Sequence, residues 1–283
     1  HQYDHRWATY ENGEKRDCTD DQKADPNFTV TPRYWVPEQE VIYRASRVPP
    51  PLIHALREGR KREAAECLTL WLASFLSASP ALPYHLLDGG AGAHLRESAE
   101  ALLREEMHDL PDWQRRWPLT EDDLRLFSRH EDALELAGAL VEKRCPKWFI
   151  AFRDITNATN ERTAIFSVIP RSGVGHTAPL VFLTKSESSD QALCFLANVN
   201  SLPFDYAVRQ KIGGTHLTFT VFEQCPVLSP NHYRPEDRRF LAKGVTELVC
   251  TGGALKALSR DLDASDAPFE WKPETARKTA GAH

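Results

Sequence analysis

No stretch of this chain is apolar for long enough to cross a membrane. The longest apolar run, residues 68–76, falls well short of the roughly 20 residues that a spanning helix needs. The first residues also lack the basic, apolar and small-residue pattern of a secretory signal peptide. These absences predict a cytoplasmic protein with no membrane partner.

The cysteines lack the spacing of a metal site or a disulfide framework. They lie far apart and form no Cys-x-x-Cys pair; they are Cys18, Cys67, Cys145, Cys194, Cys225 and Cys250. Cysteines without disulfide spacing fit a protein of a reducing compartment. Asp4, His5 and Arg6 are adjacent, but no second histidine or carboxylate pair at ligand spacing joins them, so we interpret them as structural. The sequence therefore predicts no metal ligands and no catalytic residues.

The composition is that of a globular chain. Hydrophobic residues make up 41% and charged residues 27% of the 283 residues, which excludes a disordered segment. A chain of this length buries a full core and forms one large domain or two small ones.

Charge is distributed unevenly along the chain. The net charge is −5, which argues against a general polyanion binder. Residues 1–141 carry 17 Lys and Arg against 25 Asp and Glu, whereas residues 142–216 carry 9 against 6. A local basic excess allows one face to approach phosphates while the rest repels them.

The first half predicts one strand followed by helices. Residues 28–36 are rich in β-branched and aromatic residues and predict a strand. The apolar spacing then predicts three helices, Leu52–Ser77, His94–His108 and Glu121–Val141, with Thr120 as an N-cap. We interpret the glycine-rich residues 88–93 as a flexible linker between helices.

The second half mixes strands and helices. Residues 148–155 and 163–169 predict a β-hairpin, and residues 180–184 a further strand. Ser189 is predicted to cap a helix with Leu193, Leu196 and Val199 on its inner face, and Ser201 to start the next helix. Residues 234–249 and 254–262 predict the last two helices.

Residues 198–230 combine a helix, a glycine turn, a predicted strand and a proline-rich exit. The helix ends at Tyr206–Ile212, the turn is Gly213-Gly214-Thr215-His216, and the exit is Pro226-Val227-Leu228-Ser229-Pro230. This order resembles the DNA target recognition domains of type I restriction specificity subunits and of TaqI-like restriction–modification proteins.

Other segments extend the resemblance to one branch of these proteins. They are His1–Tyr10 (HQYDHRWATY), Pro32–Val36 (PRYWV), Arg153–Pro170 (RDITNATNERTAIFSVIP) and Gly173–His176 (GVGH). The chain is similar here to the large adenine-N6 DNA methyltransferases of bacterial phage defence, of the BREX or DISARM kind, and of type IIG-like restriction–modification systems.

The resemblance implies an α+β fold, a mixed curved β-sheet with flanking helices, plus an all-helical insertion. Residues 1–48 would form the N-terminal part of the target recognition domain and a linker to a methylase core, and residues 49–141 the helical insertion. Residues 142–250 would form the main target recognition domain, and residues 251–283 a C-terminal helix and tail.

A methyltransferase needs an Asn/Asp-Pro-Pro-Tyr/Phe motif for the flipped adenine and a glycine-rich loop for its cofactor, and the chain contains no such Pro-Pro motif. We therefore expect a C-terminal fragment that binds no cofactor. S-adenosylmethionine would belong to the parent protein. The implied function is sequence-specific recognition of duplex DNA for a methyltransferase domain or subunit.

The candidate DNA contacts are basic, amide and glycine residues within these motifs. A guanidinium binds guanine or a phosphate with two bonds, an amide reads adenine, and glycines permit close approach of DNA. The predicted contacts are Arg153, Asn160, Arg162, Arg171, His176, Arg209, Lys211, Gly213, Gly214, Thr215 and His216.

Structural alternatives stay open for several of these residues. Arg153 and Arg162 would instead pair with Asp154 or Glu161 and order the hairpin. Gly213 and Gly214 would form a helix C-cap. The aromatic residues are predicted to build the core rather than to stack on a base; they are Trp7, Tyr34, Trp35, Trp148, Tyr206 and Trp271.

Two other functions are considered. The acidic helical block would bind another protein of a defence system, which makes the chain an assembly module. Glu270 and Lys272, with acidic residues upstream, are similar to the acidic-x-Lys pattern of restriction nucleases. Neither strand pairing nor regular spacing supports the nuclease alternative.

Overall fold

The fold consists of two compact units. A computed structural model of the chain describes residues 8–25, 27–78, 84–105, 110–183, 189–250 and 253–262. One unit contains the described parts of residues 1–36 and 147–283, and the other contains those of residues 37–146. The helical insertion predicted at 49–141 lies within the second unit. No helix in these ranges combines the length and the apolarity needed to cross a bilayer.

Helices dominate both units. The strands are β1 Ala8–Glu11, β2 Glu14–Asp17, β3 Trp148–Phe152, β4 Phe166–Pro170 and β5 Leu180–Val181. The helices of the first half are α1 Asp20–Ala24, α2 Glu38–Ala45, α3 Pro50–Arg57, α4 Lys61–Ala78, α5 Gly90–Arg104, α6 Trp113–Arg116, α7 Glu121–Phe127 and α8 Ala133–Arg144. Those of the second half are α9 Ser189–Val199, α10 Leu202–Lys211, α11 Phe219–Phe222, α12 Pro235–Val249 and α13 Lys256–Leu262. The 3-10 helices among the described residues are Tyr84–Leu87, Pro230–His232 and Gly253–Leu255.

The helical unit packs around α4. Trp71 is fully buried at its centre, and its indole Nε1 donates to the carbonyl of Trp117 at 2.9 Å. The apolar faces of α3, α7 and α8 close the core with Leu52, Leu124 and Leu140. The hydrogen bond to Trp117 satisfies the one polar side-chain atom of Trp71, the largest side chain in this core.

Two predicted long helices are each divided in the structure. The predicted helix Leu52–Ser77 is broken between α3 and α4, where Gly59 has φ 64°, a conformation that favours glycine. The predicted helix Glu121–Val141 is broken between α7 and α8 because Asp132 caps α8, accepting from the amide of Leu134 at 2.7 Å. Thr120 is the N-cap of α7, as predicted.

The glycine-rich segment 88–93 is packed, so its interpretation as a flexible linker was wrong. Gly90 begins α5 with φ 55°, and a Cβ at this position would lie 2.6 Å from the carbonyl oxygen of His130. The amide of Ala91 donates to the same oxygen at 2.7 Å. Only glycine allows the helix to start this close to a neighbouring backbone. The predicted helix His94–His108 therefore starts earlier, and its residues 106–108 lie outside the described ranges.

The other unit contains the predicted hairpin. Strand β3 pairs antiparallel with β4, from Trp148 opposite Pro170 to Phe152 opposite Phe166, and β5 adds to the other edge of β3. The predicted α+β class is confirmed. Within the described ranges the sheets are small and antiparallel, however, and not mixed.

Helices α9 and α10 pack on this sheet as the sequence predicts. Leu193, Leu196 and Val199 of α9 are buried, and the hydroxyl of Ser201 accepts from the amide of Phe204 at the start of α10. Rings from the strands and helices then meet in the core. The centroid of Phe166 lies 5.2 Å from that of Phe152 and 5.3 Å from that of Phe222.

The predicted strand 28–36 is absent, and the predicted strand 180–184 is shortened. Residues 28–36 form no strand because Pro32 has no amide hydrogen. The amide of Tyr10 donates to the carbonyl of Thr31 at 3.1 Å, and the amide of Thr31 donates to Thr9 Oγ1 at 2.9 Å. The predicted strand 180–184 pairs at Leu180 and Val181. The ring of Phe182 then makes a T-shaped contact with that of Phe149 at 5.9 Å between centroids, and residue 184 lies outside the described ranges.

The strand predicted after the glycine turn is a helix. His216 makes one isolated bridge with Ile155, and α11 then begins at Phe219. Thr218 caps α11 by accepting from the amide of Val221 at 3.4 Å. The short helix carries Phe222 into the aromatic core, so burial of this ring outweighs the strand preference of a Thr- and Phe-rich segment.

Candidate nucleic-acid interface

Three separately predicted segments meet at one end of the β3–β4 hairpin. Asp154 donates its amide to the carbonyl of Thr177 at 3.1 Å and accepts from the amide of Leu217 at 2.8 Å. The amide of Thr156 donates to the carbonyl of Thr215 at 3.0 Å. We name residues 153–165, 173–179 and 212–218 the loop cluster. Backbone hydrogen bonds fix its three segments in register.

Asp205 holds the long connection 153–165 in place. This residue lies in the first turn of α10 and is 3% exposed. Its Oδ1 atom accepts from the amides of both Thr163 and Ala164 at 2.8 Å. A carboxylate that accepts two amides acts as an anchor for an otherwise irregular loop.

Two of the predicted DNA contacts converge on this anchor. Arg209 donates from Nε to Asp205 Oδ2 at 2.7 Å and from Nη1 to the carbonyl of Ala158 at 2.8 Å. Arg162 lies 3.5 Å from Asp205 Oδ1 through Nε and donates from Nη2 to the carbonyl of Asn200 at 2.6 Å. Both guanidinium groups therefore have internal partners.

The same contacts set the protonation of the anchor. Burial of Asp205 favours the neutral carboxyl, but the amide of Ala164 and the guanidinium of Arg209 outweigh burial. Together they hold the pKa of Asp205 below its usual value. The carboxylate is therefore charged at neutral pH and binds both arginines as an anion.

Arg153 and Asn160 also bind within the loop. Arg153 donates from Nη2 to the carbonyl of Arg162 at 3.0 Å, and Asn160 donates from Nδ2 to Thr156 Oγ1 at 3.2 Å. Thr156 is itself buried and donates to the carbonyl of Thr163 at 2.9 Å. The alternative that Arg153 and Arg162 order the hairpin is supported, but their partners differ from Asp154 and Glu161, because the loop is longer than the predicted turn.

The glycine turn is an exposed part of the loop cluster. Lys211, Gly213, Gly214, Thr215 and His216 are all exposed. His216 Nδ1 lies 2.8 Å from Asp154 Oδ2, which leaves Nε2 on the outer side of the ring. This pairing fixes the orientation of the imidazole at the surface.

The two glycines leave open space beside the backbone. A Cβ on Gly213 or on Gly214 would meet nothing within 4 Å. Neither residue has a positive φ, and the C-cap of α10 is Ile212 in an extended conformation. A left-handed glycine C-cap is therefore wrong for this turn, and the intramolecular packing gives no reason for either glycine.

The two remaining candidates lie in different places. His176 is exposed and lies in the loop cluster next to Thr177. Arg171 donates its amide to the carbonyl of Lys147 at 3.2 Å, at the opposite end of the hairpin. At about 3.4 Å per strand residue, Arg171 lies roughly 20 Å from Arg153. The structure does not bring Arg171 into the loop cluster.

Sequence reasoning missed Asp205 and Asn200, which organise the loop. Asp205 and Arg209 stand four residues apart on one helix, which is a readable signal for an ion pair. Asn200 has no such signal. Its amide group bonds both the N–H and the C=O of Phe166 at 3.0 Å and so covers the free edge of β4.

Three aromatic residues predicted for the core lie at the surface. Tyr34 is 75%, Trp35 78% and Tyr206 66% exposed. Tyr34 and Trp35 follow Pro32 in a segment without a strand, and Tyr206 lies on the outer face of α10. Trp148 packs against the core as predicted, with its indole nitrogen 2.8 Å from Asp261 Oδ2.

Other sequence candidates lie outside the described ranges. These are residues 4–7, with Asp4, His5, Arg6 and Trp7, and residues 270–272 of the acidic-x-Lys pattern. Among the residues that are described, no three His, Cys, Asp or Glu side chains group as metal ligands.

No protein-family model, no curated protein and no solved structure matches this chain. The resemblance to target recognition domains therefore stays a prediction.

Proposed function

We propose that this chain recognises duplex DNA for an adenine-N6 DNA methyltransferase of a bacterial restriction–modification or phage-defence system. The convergence of residues 153–165, 173–179 and 212–218 carries this proposal, because the sequence marked each segment separately as a DNA contact. The catalytic domain and S-adenosylmethionine would belong to a methyltransferase domain or subunit that cooperates with it in the cytoplasm.

In this proposal the glycine turn approaches the DNA backbone. Lys211 and His216 would contact phosphates, and the amides of Gly213 and Gly214 would face the same backbone without a Cβ in the way. The exposed surface supports this role because neither glycine is required by the packing of the chain.

The arginines would act mainly by holding the reading loop in shape. Arg209 and Arg162 bind Asp205 and backbone carbonyls, so DNA contact through them would use their remaining N–H groups. A preorganised loop loses less conformational entropy on binding. Asn160 and Thr215 would then face the bases from a loop whose conformation is already fixed.

Binding to a randomised duplex pool across a salt series tests the proposal. The informative change is Lys211→Ala with His216→Ala, since both side chains are exposed. We expect several-fold weaker binding. The slope of log K against log salt concentration should also be smaller in magnitude by about 1, because one lysine–phosphate contact is lost. Lys256→Ala serves as the control because Lys256 is also exposed but lies on α13.

Gly214→Ala separates recognition from folding. A Cβ at this position meets no atom within 4 Å in the chain, so the unfolding midpoint should be unchanged or slightly higher. Duplex binding should weaken if DNA approaches this backbone. Salt-independent association, or binding that neither variant alters, would contradict the proposal and favour the assembly module.

A further inference from the structure

Helix α12 has an apolar stripe on its outer face. Its inner face buries Ala242 and Thr246 and packs against α9. Phe240 and Leu248 lie on the other side and are 77% and 79% exposed. Eight residues separate them, so both lie on one side of the helix, two turns apart.

Gly244 lies midway between the two exposed side chains. A glycine inside a helix is less favourable than alanine, because the backbone loses more freedom on folding. A Cβ at Gly244 would meet nothing within 4 Å. The fold of the single chain therefore gives no reason for glycine here, whereas a closely approaching helix would.

The stripe is complementary to itself. In an antiparallel pair of α12 helices that cross at Gly244, Phe240 of each copy lies opposite Leu248 of the other. Lys243 and Glu247 are exposed along one edge of the stripe. In the antiparallel arrangement, Lys243 and Glu247 of the second copy are offset by two residues, which is about 3 Å along the helix axis. Two apolar contacts and two opposite-charge contacts follow from one twofold axis.

We propose that α12 is a self-association surface whose partner is α12 of a second copy of this chain. The contact buries only one helix face on each side, less than the roughly 1,200 Å² of stable interfaces. Association is therefore weak and depends on concentration. This surface is separate from the loop cluster and does not depend on DNA binding.

Sedimentation equilibrium of the full chain over a wide concentration range tests the proposal. The unaltered chain should shift from monomer to dimer, and Leu248→Asp should keep it monomeric at every concentration. Leu202→Ala provides the control, because Leu202 is 71% exposed on α10 and should leave dimerisation unchanged. Circular dichroism of each variant establishes that the fold is retained.

Two further changes test the geometry of the pair. Gly244→Ala should raise the unfolding midpoint while weakening the dimer, since the added methyl helps the helix but separates the two backbones. Lys243→Glu should weaken dimerisation, and adding Glu247→Lys should restore it. A monomer at all concentrations, a dimer insensitive to Leu248→Asp, or a charge swap without restoration would each overturn the proposal.

Discussion

Each of the two units contains a buried aspartate that binds two cations, but the two aspartates stabilise different kinds of structure. Asp123 of α7 is 2% exposed and lies 2.6 Å from Arg144 Nη1 and 3.1 Å from Lys143 Nζ. Asp205 of α10 is 3% exposed and binds Arg209 and Arg162. Asp123 joins two helices, whereas Asp205 anchors a loop.

The difference lies in the remaining hydrogen bonds of each carboxylate. Asp123 Oδ2 accepts from the amide and hydroxyl of Thr120, so it completes the capping box of its own helix. Asp205 accepts from amides about 40 residues earlier in the chain. Asp123 therefore stabilises the start of its own helix. Asp205 stabilises residues 153–165, which lack regular secondary structure.

The largest effect is expected for Asp123→Ala. It leaves Arg144, whose side chain is 12% exposed, without its counterion and also removes part of the capping box. Loss of one member of a buried pair costs about 3–5 kcal/mol. Denaturant unfolding should show this loss in the free energy of unfolding. Asp122→Ala, which removes an exposed partner of Arg125, should change it by less than about 0.5 kcal/mol.

Asp205→Ala should cost about 2–3 kcal/mol. The loss is smaller because the side chains of Arg209 and Arg162 are 26% and 33% exposed and gain water in place of the carboxylate. Hydrogen exchange should accelerate at the amides of Thr163 and Ala164 and stay unchanged in residues 37–146. Glu161→Gln, an exposed acidic change in the same loop, should leave both amides protected. Uniform exchange in the Asp205 variant would mean that Asp205 does not anchor the loop.

Thr120→Ala should cost about 1 kcal/mol, because the capping box of α7 loses its hydroxyl acceptor. Thr120→Ser keeps the hydroxyl and should recover most of the loss. The measurement is the midpoint of thermal unfolding. Equal midpoints for the alanine and serine variants would contradict a capping role.

The smallest effect is the pH dependence that Asp123 contributes. Burial opposes its ionisation, but the charge of Arg144 and the amide of Thr120 outweigh burial and lower the pKa of Asp123. A lowered pKa gives stability that is present above the unfolded pKa of about 3.9 and is lost as the pH falls through the folded pKa. Between pH 5 and pH 4 the loss should reach at most about 0.3 kcal/mol. Asp123→Asn should remove this slope.

The local parts of the fold could be predicted, and the long-range parts could not. Thr120, Ser201 and the β3–β4 hairpin follow from signals within a few residues, since caps and turns depend on near neighbours. The break at Gly59 and the start of α5 at Gly90 depend on positive φ values. Composition alone does not distinguish such a glycine from a flexible one.

The candidate site could be predicted as a set of segments but not as a set of roles. The sequence marked residues 153–162 and 209–216, and the structure brings them together through Asp154, Thr156 and Leu217. The roles depend on which donors already have partners. Arg209 was expected to face outward, yet its partners are Asp205 and the carbonyl of Ala158, and only the folded chain reveals them.

The anchoring of the loop cluster has a consequence for limited proteolysis. Trypsin must draw an arginine side chain into its acidic specificity pocket before it cleaves the following peptide bond. The guanidinium groups of Arg153, Arg162 and Arg209 are engaged within the fold, so cleavage after them requires local unfolding. Lys15, in the exposed strand β2, faces no such barrier. Trypsin should therefore cleave after Lys15 before it cleaves after any of these three arginines.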